Sequence, residues 1–465
     1  MPEPYELAVI GGGPAGYVGA IRAAQLGLRV AVVERDKLGG ICTHWGCIPT
    51  KVLLFTAEVL ERLREADALG LELGQVAVNM TRLHERKAQV IDKLHKGIQY
   101  LMRKNKIDVF EGAARFLSPT RIGIGLNDGS DTEVEARHAL IATGSAPRSV
   151  PGATIDNDRI LDSTGALGLA EIPKSMVILG SGAVGVEFAS LFRALGTEVT
   201  LVELLPTLLP LEDGDIGRGL ERIFTRKGMR VQTGATATRV ERRGQRLAVT
   251  LDKNGDTSEV ETDYMLVAVG RAPIIDGLGL EAAGVATARG AVTVDAALRT
   301  SVPTIYAAGD VTGAAFRLAH VASDEAVHAV ETIAGVEHAP LNYQAVPRPT
   351  FSIPQVATMG LSEQKAQEEG YQVKVGRFPF SATPKAAIEG EREGFVKVVS
   401  DARTGELLGI HMLGPSVTEL LAEGVAVKYL EGTVLEIGAA VHSHPTLSEA
   451  VKEAALDALG RVIHI

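Results

Sequence analysis

Cys42 and Cys47 are the only cysteines in 465 residues, and they stand five positions apart in Gly39-Gly-Ile-Cys-Thr-His-Trp-Gly-Cys-Ile-Pro-Thr-Lys51. A disulfide is the first reading of such a pair. In an unbroken helix, residues five apart hold their Cα atoms roughly 8–9 Å from one another, beyond the bridging limit of about 7 Å, so the chain between them must leave helical geometry. Gly46 eases that departure. So short a loop removes only about 2 kcal/mol of unfolded-chain entropy, too little to explain the bridge by stability. A strained, accessible bridge is opened and closed by thiol exchange, and no third cysteine is present to scramble it. Redox chemistry is therefore favoured over inert packing. Metal binding is the weakest of the three readings, because zinc would need two further ligands and His44 is the only local one. No metal site is expected.

A second group that could do chemistry lies near the C-terminus, in Val441-His-Ser-His-Pro-Thr-Leu-Ser-Glu-Ala450. Pro445 suits the first turn of a helix, which would put His444 at the entrance and Glu449 within one further turn. A carboxylate so placed holds the ring tautomer and raises the imidazole's proton affinity, giving a base suited to thiols near neutral pH. His442, two positions earlier, would share a strand face with His444 and has no assigned role. His84, His95, His328 and His464 read as packed or solvated side chains.

These groups need elements to hold them. Leu7-Ala-Val-Ile-Gly-Gly-Gly-Pro-Ala-Gly16 is an apolar strand entering Gly-x-Gly-x-x-Gly, followed by a small-residue helix and a second strand, Val30-Ala-Val-Val-Glu34. The first glycine, Gly11, permits the tight turn, Gly13 lets backbone approach a pyrophosphate, and Gly16 lets helix pack on strand. Glu34 ends the second strand where a ribose hydroxyl would sit. Shifted by 169 positions the text returns without a gap, with Gly180, Gly182 and Gly185 in the glycine places and Glu203 in the acidic one. Two fingerprints in register, each with its acid 23 positions after the first glycine, indicate two dinucleotide sites. Glu203 would accept from both ribose hydroxyls of NAD and repel the extra phosphate of NADP, and no arginine follows it in Leu204-Leu-Pro-Thr-Leu-Leu-Pro210. NAD is the expected ligand there. Each module is followed by hairpin text, around Asn127-Asp-Gly129 and Asn254-Gly255, so each is expected to carry a small antiparallel meander.

A net charge of −10 argues against nucleic-acid or anionic-membrane partners. The basic runs Glu241–Arg246 and Arg103–Lys106 read as solvated turns or helix ends. No apolar run approaches a membrane span and the N-terminus enters a strand without a signal-peptide pattern, so a cytoplasmic location is expected.

With these motifs in order, the chain resembles the two-dinucleotide flavoprotein disulfide reductases, and within them the dihydrolipoamide dehydrogenases. The likeness spans nearly the whole sequence and includes Ala142-Thr-Gly-Ser-Ala-Pro147 and Thr304-Ile-Tyr-Ala-Ala-Gly-Asp310, the latter similar to a second FAD fingerprint. The resemblance implies an α/β fold of two Rossmann-like domains, for FAD and NAD, each with its meander, plus a C-terminal α+β dimerisation domain. It implies FAD at Gly11, Gly13, Gly16 and Glu34, with Gly112 by the adenine, Gly144 along the dinucleotide, Asp310 on the ribityl chain, and Leu318 and Ala319 facing the pyrimidine ring. Lys51 would pair with Glu187 beside the flavin. Gly180, Glu203, Val240 and Gly270 would line the NAD site together with Gly182 and Gly185.

The same likeness divides the chain into 1–150 and 271–345 for FAD, 151–270 for NAD and 346–465 for a homodimer interface. It implies that His444 and Glu449 form the acid-base dyad, that Cys47 is nearer the flavin, and that dihydrolipoamide is oxidised with NAD as acceptor. Partners would be lipoyl domains and the core acyltransferase of a 2-oxo acid dehydrogenase complex, or the lipoyl carrier of glycine cleavage. Two departures bear on this. The family commonly has aliphatic, asparagine, aliphatic where this chain has Thr43-His44-Trp45, which touches substrate preference; and Ala183 stands where glutathione reductases place a tyrosine. The rivals are an NAD(P)H-dependent reductase of another disulfide or acceptor, and a redox-sensing flavoprotein subunit, which would not need a placed base.

Overall fold

Alternation of short apolar strands with small-residue helices produces a doubly wound sheet at the start of the chain. In this computed structural model, which describes residues 3–313 and 316–465, β1 (Tyr5–Ile10), α1 (Pro14–Gln25) and β2 (Val30–Glu34) form the first unit of that sheet. Pro14 opens α1, where its missing N–H costs nothing. The buried face of α1 is Ala15, Gly16, Gly19, Ala20 and Ala23, and a Cβ on Gly19 would come within 3.1 Å of Ala326, so small residues set how closely α1 meets the helix Ala319–Ala334.

α2 (Gly40–His44), α3 (Cys47–Arg64) and α4 (Met80–Lys104) follow, then β3 (Asp108–Ser118), β4 (Arg121–Leu126) and β5 (Asp131–Ile141). The first residues of β3 pair parallel with β2, and the last residues of β5 pair parallel with β1 and with Ile305–Ala307. Beyond the parallel sheet, β3, β4 and β5 continue as an antiparallel meander turning at Asn127–Gly129. Apolar clusters lie on both faces, as a doubly wound sheet requires, with Leu7, Val9 and Leu140 in one and Ala8, Ile10 and Ile141 in the other.

The second module repeats this order. Its parallel strands run Arg230–Thr233, Glu198–Glu203, Ser175–Leu179, Tyr264–Val267 and Ile160–Leu161, and its meander is Thr236–Arg243, Arg246–Lys253 and Asp256–Thr262. Asn254 and Gly255, both at positive φ, close the second hairpin as their types foretell. The run Glu241–Arg246 spans the first hairpin turn, where Arg243 pairs with Glu259 and Arg246 with Glu261, so it is a solvated, ion-paired turn.

The last region is a five-stranded antiparallel sheet in the order Arg348–Thr350, Gln355–Gly360, Leu407–Gly414, Phe395–Asp401, Val373–Pro379. Helices Val417–Tyr429, Val434–Ala439 and Glu449–Ala458 accompany it. Its core is Phe378, Phe380, Val396, Ile410 and Met412 against Ala450, Ala454 and Ala455. The chain divides into two compact units: Met1–Val52, Thr81–Arg148 and Gly270–Leu341 in one, and Leu53–Met80, Ser149–Val269 and Asn342–Ile465 in the other.

Candidate active site

The break required between the cysteines is present. α2 ends at Trp45, whose φ of −137° leaves the helical region, and α3 begins at Cys47. Thr50 closes the first turn of α3 by donating its N–H and hydroxyl to the Gly46 carbonyl at 3.1 and 2.6 Å. On the other side, Gly39 (φ 99°) donates its N–H to the Gly12 carbonyl at 2.8 Å, and a Cβ on Gly40 would come within 2.8 Å of Gly13 Cα. Glycine at both places thus seats the cysteine helix directly on the first dinucleotide loop.

Both cysteines are half-buried thiols, and Cys42 is hydrogen-bonded to Cys47. That bond, burial and the charge on Cys47 push the Cys42 thiol up; the Lys51 ammonium opposes them, and Asp310 adds to the rise. The pair therefore behaves as one coupled acid, in which ionising one sulfur keeps the other protonated.

The two glycine loops are built alike. Gly11 and Gly180 have φ of 102° and 98°, and a Cβ on Gly16 or Gly185 would overlap the carbonyl oxygen of Gly11 or Gly180. At Gly13 and Gly182, by contrast, a Cβ would meet nothing within 4 Å. Each of these two glycines caps a helix N-terminus, leaving open space beside the helix's first N–H groups where a pyrophosphate can approach.

The acids differ more. Glu34 accepts from Gly12 N–H at 2.6 Å and Asp36 N–H at 2.8 Å. Glu203 is buried and accepts from Leu205 N–H at 2.9 Å and from both the N–H and hydroxyl of Ser181 at 2.8 Å. Ser181 occupies the place of Gly12 in the first loop.

Asp310 lies in a one-turn 3-10 helix, Gly309–Thr312, and accepts the Ser145 hydroxyl. Arg271 donates to the Ser145 hydroxyl and carbonyl, both at 2.7 Å, and Gly309 N–H donates to the buried Glu325 carboxylate at 2.7 Å. Gly144 (φ 71°) has open space at its Cβ position and its carbonyl accepts from Ile274 N–H at 2.9 Å; Gly270 (φ 114°) is equally open, and its carbonyl accepts from Arg148 N–H. Gly112 faces Leu126 across the meander, where a Cβ would press on the Gly125 carbonyl, and Val240 faces Val249. Leu318 caps the helix Ala319–Ala334. Glu187 is buried and accepts Phe351 N–H at 2.9 Å.

His444 and Glu449 meet, but through a different backbone from the one expected. Residues 441–448 form turns rather than strand or helix, the His444–Pro445 peptide is cis, and the helix starts only at Glu449. Pro445 therefore does not open the helix; the Thr446 hydroxyl, donating to the Ser443 carbonyl at 2.8 Å, helps close the turn before it. The His444 ring Nδ1 is 2.9 Å from Glu449 Oε1, and Glu449 Oε2 accepts Thr446 N–H at 2.9 Å. Burial opposes ionisation of Glu449, but the Thr446 N–H and the His444 ring together hold its carboxyl below the usual range. The His444 side chain is 66% exposed. His442, in contrast, has a side chain only 7% exposed and bonded to Glu423 at 3.0 Å, so it has a structural partner, and it shares no strand face with His444.

Comparison with known proteins bears on this arrangement. The sequence profile described as pyridine nucleotide-disulphide oxidoreductase matches residues 5–326, and the dimerisation domain of the same group matches residues 346–455. This chain belongs to the pyridine nucleotide-disulphide oxidoreductases. Dihydrolipoyl dehydrogenases of Bacillus subtilis and Rhizobium etli are 42% and 43% identical to it, with all of both chains covered in each case. The crystal structure of LpdA from Mycobacterium tuberculosis superposes with a TM-score of 0.90 at 31% identity, covering 97% of this chain and 98% of that one. The Cu(II) complex of the HOCl-induced flavoprotein disulfide reductase RclA from Escherichia coli gives 0.87 at 28%, covering 97% and 99%.

As a pyridine nucleotide-disulphide oxidoreductase, the chain is a flavoprotein disulfide oxidoreductase that uses FAD and NAD, has the mixed α/β fold expected for it, and carries a dimerisation domain. Its residues fit two dinucleotides: two open glycine cradles sit at helix N-termini, each with a carboxylate at the end of the following strand. Sequence reading missed Ser145, Arg271, Ser181 and Glu325. One signal was available, since Gly144-Ser-Ala-Pro147 and Gly270-Arg-Ala-Pro273 are near copies, and these two segments pair antiparallel. No metal-binding group of three or more ligands occurs among the described residues, and no helix there is long and apolar enough to cross a membrane.

Proposed function

We propose that this enzyme oxidises protein-bound dihydrolipoamide to lipoamide with NAD as acceptor. The observation that carries the reading is the thiol pair, Cys42 hydrogen-bonded to Cys47 across the break between α2 and α3, with α2 seated against the first glycine loop. The identity of relatives named dihydrolipoyl dehydrogenase over the whole chain supports the choice of substrate.

In the proposed route the substrate's first thiol gives its proton to His444, which Glu449 holds by the ring's other side, and its sulfur attacks Cys42 of the oxidised pair. The Cys42–Cys47 bond breaks as the mixed disulfide forms, leaving Cys47 as a thiolate. The second substrate thiol then attacks its own disulfide-bonded sulfur, releasing lipoamide and returning Cys42 as a thiol. FAD, when bound, would supply the two-electron chemistry that links the cysteine pair to NAD.

FAD would be held by Gly11, Gly13, Gly16, Glu34, Gly112, Gly144, Asp310, Leu318 and Ala319, with Lys51 and Glu187 a pair beside the flavin. NAD would be held by Gly180, Gly182, Gly185, Glu203, Val240 and Gly270. The working division is 1–150 with 271–345 for FAD, 151–270 for NAD and 346–465 for the interface of a homodimer, whose partner subunit would complete the site around the exposed His444. Lipoyl domains and the core acyltransferase of a 2-oxo acid dehydrogenase complex, or a glycine-cleavage lipoyl carrier, are the proposed partners, in the cytoplasm.

The test is Cys47→Ser. The variant should retain FAD and lose dihydrolipoamide-dependent NADH formation by at least a thousandfold, on the order of losing a covalent route. Full activity would reject the route.

A further inference from the structure

Thr43-His44-Trp45, where the family commonly has an asparagine at the centre, is the stretch between the cysteines that the proposed route does not use. The structure gives His44 a specific partner. Its ring Nε2 lies 3.0 Å from the Leu38 carbonyl, and the same oxygen is 3.0 Å from Nδ1 of His95, which arrives from the middle of α4. The two rings are 4.9 Å apart, edge to face, and Trp45 covers His44 at 5.1 Å.

A carbonyl oxygen only accepts, so each ring must present an N–H to it: His44 at Nε2 and His95 at Nδ1. The gripped carbonyl belongs to the residue just before Gly39 and Gly40, the two glycines that dock α2 on the first dinucleotide loop. Cys42 sits one helical step beyond them.

We propose that His44 and His95 are positioning residues that grip the Leu38 carbonyl together, holding Cys42 against Cys47. The proposal concerns the reduced pair itself and does not depend on the substrate assigned above.

The grip needs no charged ring: in the neutral form the nitrogen facing Leu38 already carries its proton on both rings, so two N–H groups from different helices converge on one oxygen and fix the backbone from which α2 starts.

The experiment measures iodoacetamide alkylation of Cys42 in the flavin-loaded, dithiothreitol-reduced protein at about pH 7.5, with the site assigned by peptide mass. Losing one hydrogen bond corresponds to about a fivefold faster reaction. His44→Gln, whose amide can donate from the Nε2 place, should match the wild type, and His44→Leu, which cannot donate, should react about fivefold faster. His95→Asn and His95→Leu, at the second donor, should divide in the same way. His464→Gln, altering a histidine bonded to Glu453, should behave as wild type. Alkylation of either leucine variant at the wild-type rate overturns the proposal, and so does an amide variant that reacts as fast as its leucine counterpart.

Discussion

Replacing Gly182 with alanine separates what the glycine loop does for the fold from what it does for the cofactor. Gly182 has φ −64° and ψ 179°, extended backbone that alanine adopts freely, and a Cβ there would meet no protein atom within 4 Å. Folding should therefore be unchanged, with the thermal midpoint within about 2 °C of wild type. The space it fills is the approach to the N-terminus of the helix Ala183–Leu195, where a phosphate of NAD would take N–H groups. Losing one hydrogen bond to a charged group costs about 1.5–3 kcal/mol, so the dissociation constant for NADH should rise roughly 10- to 150-fold.

Gly185→Ala makes the opposite case. Its Cβ would overlap the Gly180 carbonyl oxygen, so helix and strand must part, at the cost of overpacking, about 1–3 kcal/mol or more. The assays are thermal unfolding, flavin content from absorbance, and anaerobic NADH titration. Flavin content should stay full in Gly182→Ala, because FAD is assigned to the other cradle. NADH affinity within twofold of wild type, or a midpoint lowered by more than 5 °C in Gly182→Ala, would refute the reasoning.

Three other outcomes follow from the same geometry. His444→Gln should lower turnover with dihydrolipoamide by about 10²- to 10⁴-fold while flavin content stays full, as measured by steady-state rates and absorbance. Lys397 is 2% exposed and paired with Asp213, Asp215 and Glu363; Lys397→Met would leave the buried Asp213 without its cation and should cost about 3–5 kcal/mol, read as a lower urea midpoint. Burial alone would raise the Asp215 carboxyl, but hydrogen bonds from Lys397 and Arg218 outweigh it and hold its pKa at about 2. A depressed folded pKa gives stability that is present above the unfolded value of about 3.9 and is lost as pH falls through 2, so Asp215→Asn should flatten the acid-unfolding curve between those limits.

Much of this was legible along the chain because the features are local. A strand, a glycine turn and a helix lie within a few residues of one another, and the repeated spacing from Gly11 to Glu34 and from Gly180 to Glu203 reports two equal modules. The break at Trp45 and Gly46 was readable too, since five residues of helix cannot bring two sulfurs together. What escaped notice depends on contacts across long stretches of sequence. Ser145 meets Arg271, His44 meets His95, and Lys397 meets Asp213 only once the sheets have formed. Around His444 the expected geometry failed for a local reason: proline is equally at home in a turn before a helix and in its first turn, and the types alone do not choose.

The paired loops also differ in how many donors already surround their acid. Gly12 offers Glu34 a single amide, whereas Ser181 brings an amide and a hydroxyl to Glu203. An incoming sugar at the second cradle must compete with a resident alcohol for the same oxygen, and a sugar at the first need not. Weak, exchangeable residence in one cradle and durable residence in the other can thus be written by one atom group, in a duplicated scaffold whose first glycines turn at nearly the same φ.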